Sequence, residues 1–199
     1  MEILKNELEA GRAVILPTET VYGLFAKALD QDAVDLVYRL KQRPRDKAMN
    51  LNIANLDQVT EYADEIPPYF QDLVAHFWPG PLTILLKAGD NVPVWINSGL
   101  PTVGFRMPDH PLTLQLIQET GPLIGPSANL SGASSGQKFQ DIQQDISVPG
   151  LADDAFLTGV DSTILDLSQE PARILRQGAI TQEDLQAVIP QLNFKEVEK

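Results

Sequence analysis

Apolar and polar positions vary along the chain with two periods, and together they predict an irregular succession of helices and strands. Apolar residues recur at helical spacing after Asp30 and again from Phe70 to Phe77. Short apolar runs, such as Ala13 to Leu16 and Leu82 to Leu86, predict buried strands. This mixture predicts an α/β fold, with one domain over residues 1–199 built on a twisted, open, mixed sheet with flanking helices.

Residues that cap or interrupt regular structure set the limits of the other predicted elements. Thr181 and Asp184 have capping-box spacing and predict the start of the last helix. We expect the charged segment that follows it, residues 190–199, to be a frayed tail. The remaining predicted strands are Ala48 to Ala54, Thr102 to Phe105, Pro122 to Ile124, Phe156 to Thr158, Thr163 to Leu167 and Arg173 to Leu175.

A polar stretch, Pro17 to Leu24, directly follows the first predicted strand. Because Pro17 cannot donate to a strand ladder, it is expected to end that strand. Two threonine hydroxyls, a carboxylate and a phenol then precede Gly23. The ends of strands in α/β sheets are common ligand sites, which favours a functional role. A polar turn capped by Thr and closed by Gly is the alternative that this stretch alone leaves open.

Composition narrows the class of protein. Of the 199 residues, 43% are hydrophobic and 21% are charged, a balance typical of a folded chain. The absence of cysteine excludes disulfides and cysteine nucleophiles, and with only two histidines no protein-built zinc site is expected. No apolar run reaches the length of about 18 residues that a transmembrane helix needs. Since Met1 to Ala10 also lacks the apolar core of a signal peptide, we expect a cytoplasmic protein without a membrane partner.

The basic residues are few but concentrated. The net charge is −12, from 27 acidic and 15 basic residues, which argues against broad non-specific binding of nucleic acid. Four cations nevertheless lie close together, at Lys41, Arg43, Arg45 and Lys47. One interpretation is a solvated helix end, since cations complement the dipole at a helix C-terminus. The cluster continues past Pro44, however, and concentrated charge that includes arginine suits the phosphates of a nucleotide.

The loop from Gly125 to Gly132 has the composition of an anion-binding turn. Its small residues let backbone N–H groups approach a ligand, and Ser127 and Asn129 add hydrogen-bonding groups. Its spacing departs from that of a P-loop and of a nucleophile elbow, and an ordinary loop with Asx-type turns is the alternative. Arg106 and Arg176 both stand at the ends of predicted strands, which suggests that they share a cleft.

Taken in order, several of these stretches resemble the motifs of the YrdC-like threonylcarbamoyl-AMP synthases. No single motif is specific, but the set spans most of the chain. Two departures are Phe25, where the family often has Gly, and Ala48-Met49, where it often has Pro-Leu; neither removes a charged group. The matching segments are Pro17-Thr18-Glu19-Thr20-Val21-Tyr22-Gly23-Leu24, Lys41-x-Arg43-x-x-x-Lys47, Phe77-Trp78-Pro79-Gly80-Pro81-Leu82-Thr83, Val103-Gly104-x-Arg106-x-Pro108, Pro126-Ser127-Ala128-Asn129-x-Ser131-Gly132 and Ser162-Thr163.

The resemblance implies a large concave cleft and a nucleotidyltransferase. Such an enzyme forms threonylcarbamoyl-AMP and pyrophosphate from L-threonine, bicarbonate and ATP, for threonylcarbamoyladenosine modification of tRNA. Mg²⁺ carried by ATP is the implied cofactor, and downstream tRNA threonylcarbamoyl-transferase proteins are the implied partners. By position, Thr20 and Ser162 would contact threonine, and Lys41 and Arg43 would be catalytic. The residues implied on the nucleotide side are Arg43, Lys47, Asn52, Arg106, Ser127, Asn129, Ser135 and Arg176.

Two other functions stay open at this point. The basic residues could hold the backbone of double-stranded RNA by shape, as in an RNA-binding translation factor. The net charge then predicts weak, strongly salt-dependent binding. A paralogue with the same fold could instead bind a nucleotide without synthase activity. Lys41, Arg43, Ser127 and Asn129 match the synthase motifs and favour the synthase over this paralogue.

Overall fold

The structure is a computed structural model that describes residues 1–136 and 138–195. Its centre is an eight-stranded sheet with the order β1-β2-β6-β3-β5-β4-β7-β8. Two neighbouring pairs, β3 with β5 and β4 with β7, are parallel, and the other pairs are antiparallel. The predicted open, mixed sheet is therefore confirmed. The strands are β1 (Val14–Leu16), β2 (Gly23–Lys27), β3 (Asn50–Asn52), β4 (Leu82–Lys87), β5 (Thr102–Arg106), β6 (Leu123–Ile124), β7 (Thr163–Asp166) and β8 (Arg173–Arg176).

Helices pack against both faces of the sheet at β1 and β2, where alternating strand residues belong to two separate hydrophobic clusters. Ile15 and Leu24 lie in the larger cluster, together with buried residues of α2, α4 and α8. Val14 and Phe25 lie in the smaller cluster, with residues of α1 and α6. None of the described helices is long and apolar enough to cross a membrane. The helices are α1 (Glu2–Glu9), α2 (Gln31–Leu40), α3 (Asp57–Tyr62), α4 (Phe70–Phe77), α5 (Val94–Asn97), α6 (Pro111–Thr120), α7 (Phe139–Asp145) and α8 (Gln182–Val188).

Local signals predicted several of these elements well. The Asp30 side chain caps α2, and Thr181 with Asp184 forms the predicted capping box at the start of α8. On β3, Leu51 is buried while Asn50 and Asn52 line a cleft on the opposite side, as alternation along a strand predicts.

Three parts of the chain differ from the sequence-based expectation. The pattern does not indicate β2, because its first four residues are buried and show no alternation. The strand predicted over Phe156 to Thr158 is wrong: the backbone there forms a turn, and the Thr158 N–H donates to the Glu19 carbonyl at 3.0 Å instead of joining the sheet. No element is predicted between Gly132 and Phe156, but the structure contains α7 there, in which Ile142 is the buried residue.

The end of the described chain is packed against the sheet edge. Leu192 is only 3% exposed, and the Lys195 N–H donates to the Ala172 carbonyl at 2.9 Å. The prediction of a frayed tail is therefore wrong for residues 190–195, because an apolar anchor and backbone hydrogen bonds hold them. Residues 196–199 lie outside the part of the chain that the structure describes.

Strand register brings residues that are distant in sequence to one place. On the parallel pair β3 and β5, Asn52 lies opposite Arg106. Ser162 directly precedes β7, and Arg176, at the end of β8, pairs with Ile164 of β7. Because β4 pairs with both β5 and β7, the polar ends of these strands converge on one side of the sheet.

Candidate functional site

The convergent strand ends line a cleft of about 280 Å³. Its charged lining includes three arginines, Arg43, Arg106 and Arg176. Hydroxyl groups and two amides lie between them, and the lining residues of this kind include Thr18, Asn50, Asn52, Thr83, Ser127 and Ser162. Fixed cations with hydroxyl donors in a concave site are suited to an anionic ligand.

Arg106 lies at the end of the cleft formed by the Pro17–Leu24 stretch. Its Nη2 atom donates to Glu19 Oε1 and to Thr20 Oγ1, each at 2.7 Å. Glu19 Oε2 also accepts from the Asp109 N–H at 2.9 Å. The Arg106 and Glu19 side chains are 12% and 14% exposed, so the ion pair is well shielded from water. The Arg106 Nε atom is buried and has no hydrogen-bond partner among the described residues.

Arg176 lies near the other end of the cleft and holds the segment before β7. Its Nε donates to the Ser162 carbonyl at 3.0 Å, and its Nη2 donates to Ser162 Oγ at 2.9 Å. Ser162 Oγ also lies 3.0 Å from Thr83 Oγ1. Burial lowers the pKa of Arg176 from its ordinary value, and Asp161 acts in the opposite direction.

The carboxylate of Asp161 lies beside Arg176 at the same end of the cleft. Its Oδ2 atom accepts a hydrogen bond from Ser135 Oγ at 3.0 Å and lies 3.8 Å from Nη1 of Arg176. The Asp161 and Arg176 side chains are 32% and 43% exposed. The structure therefore brings the predicted residues Ser135, Arg176 and Ser162 together, around a carboxylate that the motifs did not include.

Lys41 is placed behind the Gly125–Gly132 loop and does not line the cleft. Its side chain is buried, and Nζ donates to the backbone carbonyls of Ser127 and Asn129. Burial, together with the nearby charge of Arg43, lowers the pKa of Lys41 to about 8. In this arrangement Lys41 positions the loop, which differs from the direct role in the cleft that the resemblance implies.

Arg43 lines the cleft beside the start of β3. Its Nε donates to the Lys47 carbonyl at 3.0 Å and its Nη2 to the Ala48 carbonyl at 2.8 Å. Burial lowers the pKa of the Arg43 guanidinium from its ordinary value. The Lys47 side chain is exposed outside the cleft lining. Asn52 is buried, with Nδ2 at 3.4 Å from the Leu123 carbonyl.

The Gly125–Gly132 loop forms part of the floor. The Leu24 N–H donates to the Pro126 carbonyl at 2.8 Å, and the Ala128 N–H donates to the Tyr22 carbonyl at 2.7 Å. Asn129 is buried behind the floor, where its Nδ2 donates to the carbonyls of Leu130 and Ala133 at 2.9 Å. Asn129 thus shapes the loop, and Ser127 is the residue of this pair that lines the cleft.

Phe25, one of the two departures from the family pattern, lies directly beneath this floor. The ring is 1% exposed, and a Cβ atom added at Gly23 or at Gly125 would lie 2.4 Å from it. These two glycines therefore let the backbone of the floor rest on the ring. Phe25 fills the space under the cleft without removing a polar group from it.

A segment from Gly150 to Asp161 crosses the outside of the Pro17–Leu24 stretch. The Gly159 N–H donates to the Thr20 carbonyl at 2.8 Å. The Tyr22 hydroxyl donates to Asp154 Oδ1 at 2.7 Å and accepts from the Asp153 N–H at 2.8 Å. Burial raises the pKa of Tyr22 above its ordinary value. These contacts fix the backbone that carries Thr18, Glu19 and Thr20.

Several residues of the site, Asn50 among them, have no role in the sequence-based prediction. Thr18 and Glu19 lie inside a stretch that was recognised, and Thr83 lies inside a matched motif, but none was given a role. Asp161 directly precedes Ser162, and that position is its only local signal. Thr20, which was expected to contact a ligand, is buried with its hydroxyl bonded to Arg106 and Thr18.

Comparison with known proteins gives consistent matches. Residues 6–178 match the family model Sua5/YciO/YrdC, described as telomere recombination. The threonylcarbamoyl-AMP synthase of Pyrococcus abyssi is 39% identical over 198 residues, covering 98% of this chain and 58% of the relative. The threonylcarbamoyl-AMP synthase of Bacillus subtilis is 41% identical over 187 residues, which cover 92% of this chain and 54% of the relative. A putative threonylcarbamoyl-AMP synthase of Mycobacterium tuberculosis is 30% identical, and the match covers 92% of this chain and 85% of the relative.

Solved structures share the fold. The crystal structure of P. abyssi Sua5 complexed with L-threonine has a TM-score of 0.90 and 38% identity, covering 97% of this chain and 58% of that one. Escherichia coli YciO has a TM-score of 0.77 at 23% identity, and the match covers 88% of this chain and 87% of YciO. The chain thus spans just over half the length of the P. abyssi and B. subtilis relatives.

Proposed function

The chain belongs to the Sua5/YciO/YrdC family, and on that premise we propose that it is a threonylcarbamoyl-AMP synthase. It would convert L-threonine, bicarbonate and ATP into threonylcarbamoyl-AMP and pyrophosphate. The observation that carries this proposal is the cleft, in which three arginines and several hydroxyls from distant parts of the chain face one space. Two synthases of this name, 39% and 41% identical over nearly the whole chain, support the assignment.

The proposed reaction has an electrostatic difficulty that this cleft suits. The amine of threonine and bicarbonate give a carbamate, which is an anion, and it must attack the α-phosphorus of an anionic nucleotide. Displacement of pyrophosphate then needs positioning and neutralisation of charge more than a side-chain nucleophile. Arg43, Arg106 and Arg176 would supply this neutralisation from fixed positions.

Each predicted site residue except Lys47, whose side chain is exposed outside the cleft lining, has a place in this proposal. Ser162, next to the shielded hydroxyl of Thr83, would contact threonine, and Thr20 would act through its hydrogen bond to Arg106. The structure of P. abyssi Sua5 with L-threonine supports an amino acid in the site. The proposed nucleotide side contains Arg43, Asn52, Ser127 and Arg176 from the cleft lining, with Ser135 beside Asp161, while Lys41 and Asn129 hold the loop.

Mg²⁺ belongs to the proposal as a cofactor carried by ATP. Among the described residues there is no group of three or more metal-ligating His, Cys, Asp or Glu side chains. The phosphates would therefore provide most of the ligands, as is common for Mg²⁺ in nucleotide sites. When bound, the ion would reduce the negative charge that the arginines face.

The product defines the partners that we propose. Threonylcarbamoyl-AMP is a reactive mixed anhydride, so a transferase that modifies tRNA would have to accept it from this chain. Direct binding of RNA is less well supported, because the net charge of −12 opposes it.

The test is release of pyrophosphate from ATP and bicarbonate, measured with and without L-threonine. We expect release that depends on threonine, and mass spectrometry should identify threonylcarbamoyl-AMP. ATP binding in calorimetry without any release would contradict the synthase proposal and favour a nucleotide-binding paralogue. Absence of both would favour the RNA-binding alternative.

A further inference from the structure

The carboxylate of Asp161 is unusual in its surroundings. Among the described residues that line the cleft, three are arginines and Asp161 alone is acidic. A carboxylate repels an anionic ligand, so it lowers the affinity of a site that the arginines otherwise favour. Its position therefore needs a physical explanation.

The contacts of Asp161 are those that an anionic ligand would make. One oxygen, Oδ2, accepts from the Ser135 hydroxyl at 3.0 Å and faces Nη1 of Arg176 at 3.8 Å. Phosphate oxygens use the same donor types, a hydroxyl and a guanidinium. The carboxylate thus occupies two groups that the proposed function assigns to the nucleotide.

The contact with Arg176 is loose enough to be exchanged. A distance of 3.8 Å is longer than a charge-assisted hydrogen bond, and both side chains are about one-third or more exposed. Ion pairs of this kind contribute little to stability because water and salt screen them. The Arg106–Glu19 pair differs, since it is 2.7 Å long and is shielded from solvent.

We propose that Asp161 is an internal competitor for the anion site: it holds Arg176 and Ser135, and a bound pyrophosphate or triphosphate group displaces it from them. This inference rests on the proposed function for the class of ligand. Asp161 then sets the affinity of the site, and its return to Arg176 and Ser135 favours release of the pyrophosphate product.

The experiment measures binding of inorganic pyrophosphate by calorimetry, in EDTA and separately with Mg²⁺. In Asp161→Asn the repulsion is lost while an amide oxygen remains for Ser135. We expect pyrophosphate to bind about tenfold more tightly to this variant in EDTA, and its release after turnover to slow. Asp161→Glu, which keeps the charge, should bind pyrophosphate with an affinity close to that of the wild type.

Asp90→Asn is the matched control, because Asp90 is an exposed loop residue outside the cleft and the substitution changes the net charge equally. Its affinity should equal that of the wild type. Thermal unfolding checks the fold, which should persist because the backbone carbonyl of Asp161, and not its side chain, accepts the Ala179 N–H. Asp161→Ala gives a second neutral variant and should also bind more tightly.

Equal or weaker binding by both neutral variants in EDTA would overturn the proposal. If the neutral variants bind pyrophosphate more weakly than the wild type only when Mg²⁺ is present, the proposal is also overturned. Asp161 would then be assigned to the metal. The pyrophosphate-release assay on the wild type separates this result from failure of the proposed function. An active wild type with unchanged affinity in Asp161→Asn disproves the competitor alone, whereas an inactive wild type that binds no pyrophosphate disproves both.

Discussion

The two ends of the cleft hold an arginine in different ways. At one end, Arg106 forms a short ion pair with Glu19 and a hydrogen bond with Thr20, in a place that water barely reaches. At the other end, Arg176 faces Asp161 at 3.8 Å with both side chains partly exposed. In the first arrangement a shielded carboxylate neutralises the guanidinium. In the second, hydrogen bonds to Ser162 hold the guanidinium, and its Nη1 atom stays available to a ligand. The pairing of an arginine with a carboxylate can therefore orient the arginine or leave its charge available, depending on burial.

Removal of the exposed arginine should give the largest effect. We expect Arg176→Ala to lower pyrophosphate release about 100-fold or more, because a cation aimed at the reacting phosphates is lost. We also expect a loss of about 1–3 kcal/mol in the free energy of unfolding, because Arg176 donates two hydrogen bonds to the buried Ser162. Arg39→Ala, which removes an exposed arginine from α2, should retain wild-type activity. Comparable activity of Arg176→Ala and Arg39→Ala would remove Arg176 from the proposed site.

Neutralisation of the two carboxylates compares the two ends directly. Glu19→Gln leaves the Arg106 charge shielded and unpaired, so we expect a loss of about 3 kcal/mol in the free energy of unfolding. Asp161→Asn should change that free energy by less than about 1 kcal/mol, because its partner can be solvated. Urea denaturation of both variants gives the two values. Equal losses would show that burial does not distinguish the two pairs.

Lys41 extends the comparison to a cation that contacts carbonyl oxygens. Its pKa is lowered to about 8, whereas an unfolded lysine keeps its proton up to about pH 10.5. Between these values the unfolded chain binds more protons, so the contribution of Lys41 to stability rises with pH and is flat below pH 8. From pH 7.5 to 9.5 we expect the wild type to gain about 1–2 kcal/mol relative to Lys41→Met. Urea unfolding at both pH values measures the difference in stability between the two proteins. A difference that is the same at both pH values would contradict the prediction.

A small effect should come from a neutral hydroxyl near the Arg106 end. Tyr22→Phe removes the hydroxyl that bonds to Asp154 and to the Asp153 N–H, and we expect a loss of about 1 kcal/mol in stability. Asp154→Asn keeps an acceptor for the hydroxyl and should cost less. Thermal unfolding of both variants checks the order, and a larger loss for Asp154→Asn would show that its charge matters more than the hydrogen bond.

Sequence reasoning succeeded where a local rule was sufficient. Alternation placed Asn50 and Asn52 on one side of β3, and capping chemistry placed the start of α8. The family motifs also contain half of the residues that line the cleft, among them Arg43, Arg106 and Ser162. These signals depend only on neighbours in the chain, so no knowledge of the tertiary structure was needed.

Sequence reasoning failed where a side chain finds its partner in a distant segment of the chain. Glu19 and Arg106 are 87 positions apart, and Lys41 reaches a carbonyl 88 positions away. Nothing near Lys41 indicates that its charge is buried behind a loop, so its motif implied a ligand contact. Strand β2 was missed for a related reason: burial of both of its faces removes the alternation that marks a strand.

The ring of Phe25 beneath Gly23 and Gly125 determines the direction in which the cleft can adapt. Since both glycine backbones rest on a buried aromatic ring, the floor is stiff and cannot sink to admit a bulkier molecule. A ligand with added volume must therefore extend away from this floor, toward the open side of the cleft. One side chain in the core then makes the cleft selective for the size of the buried part of a ligand. The outer part of the ligand can vary in size.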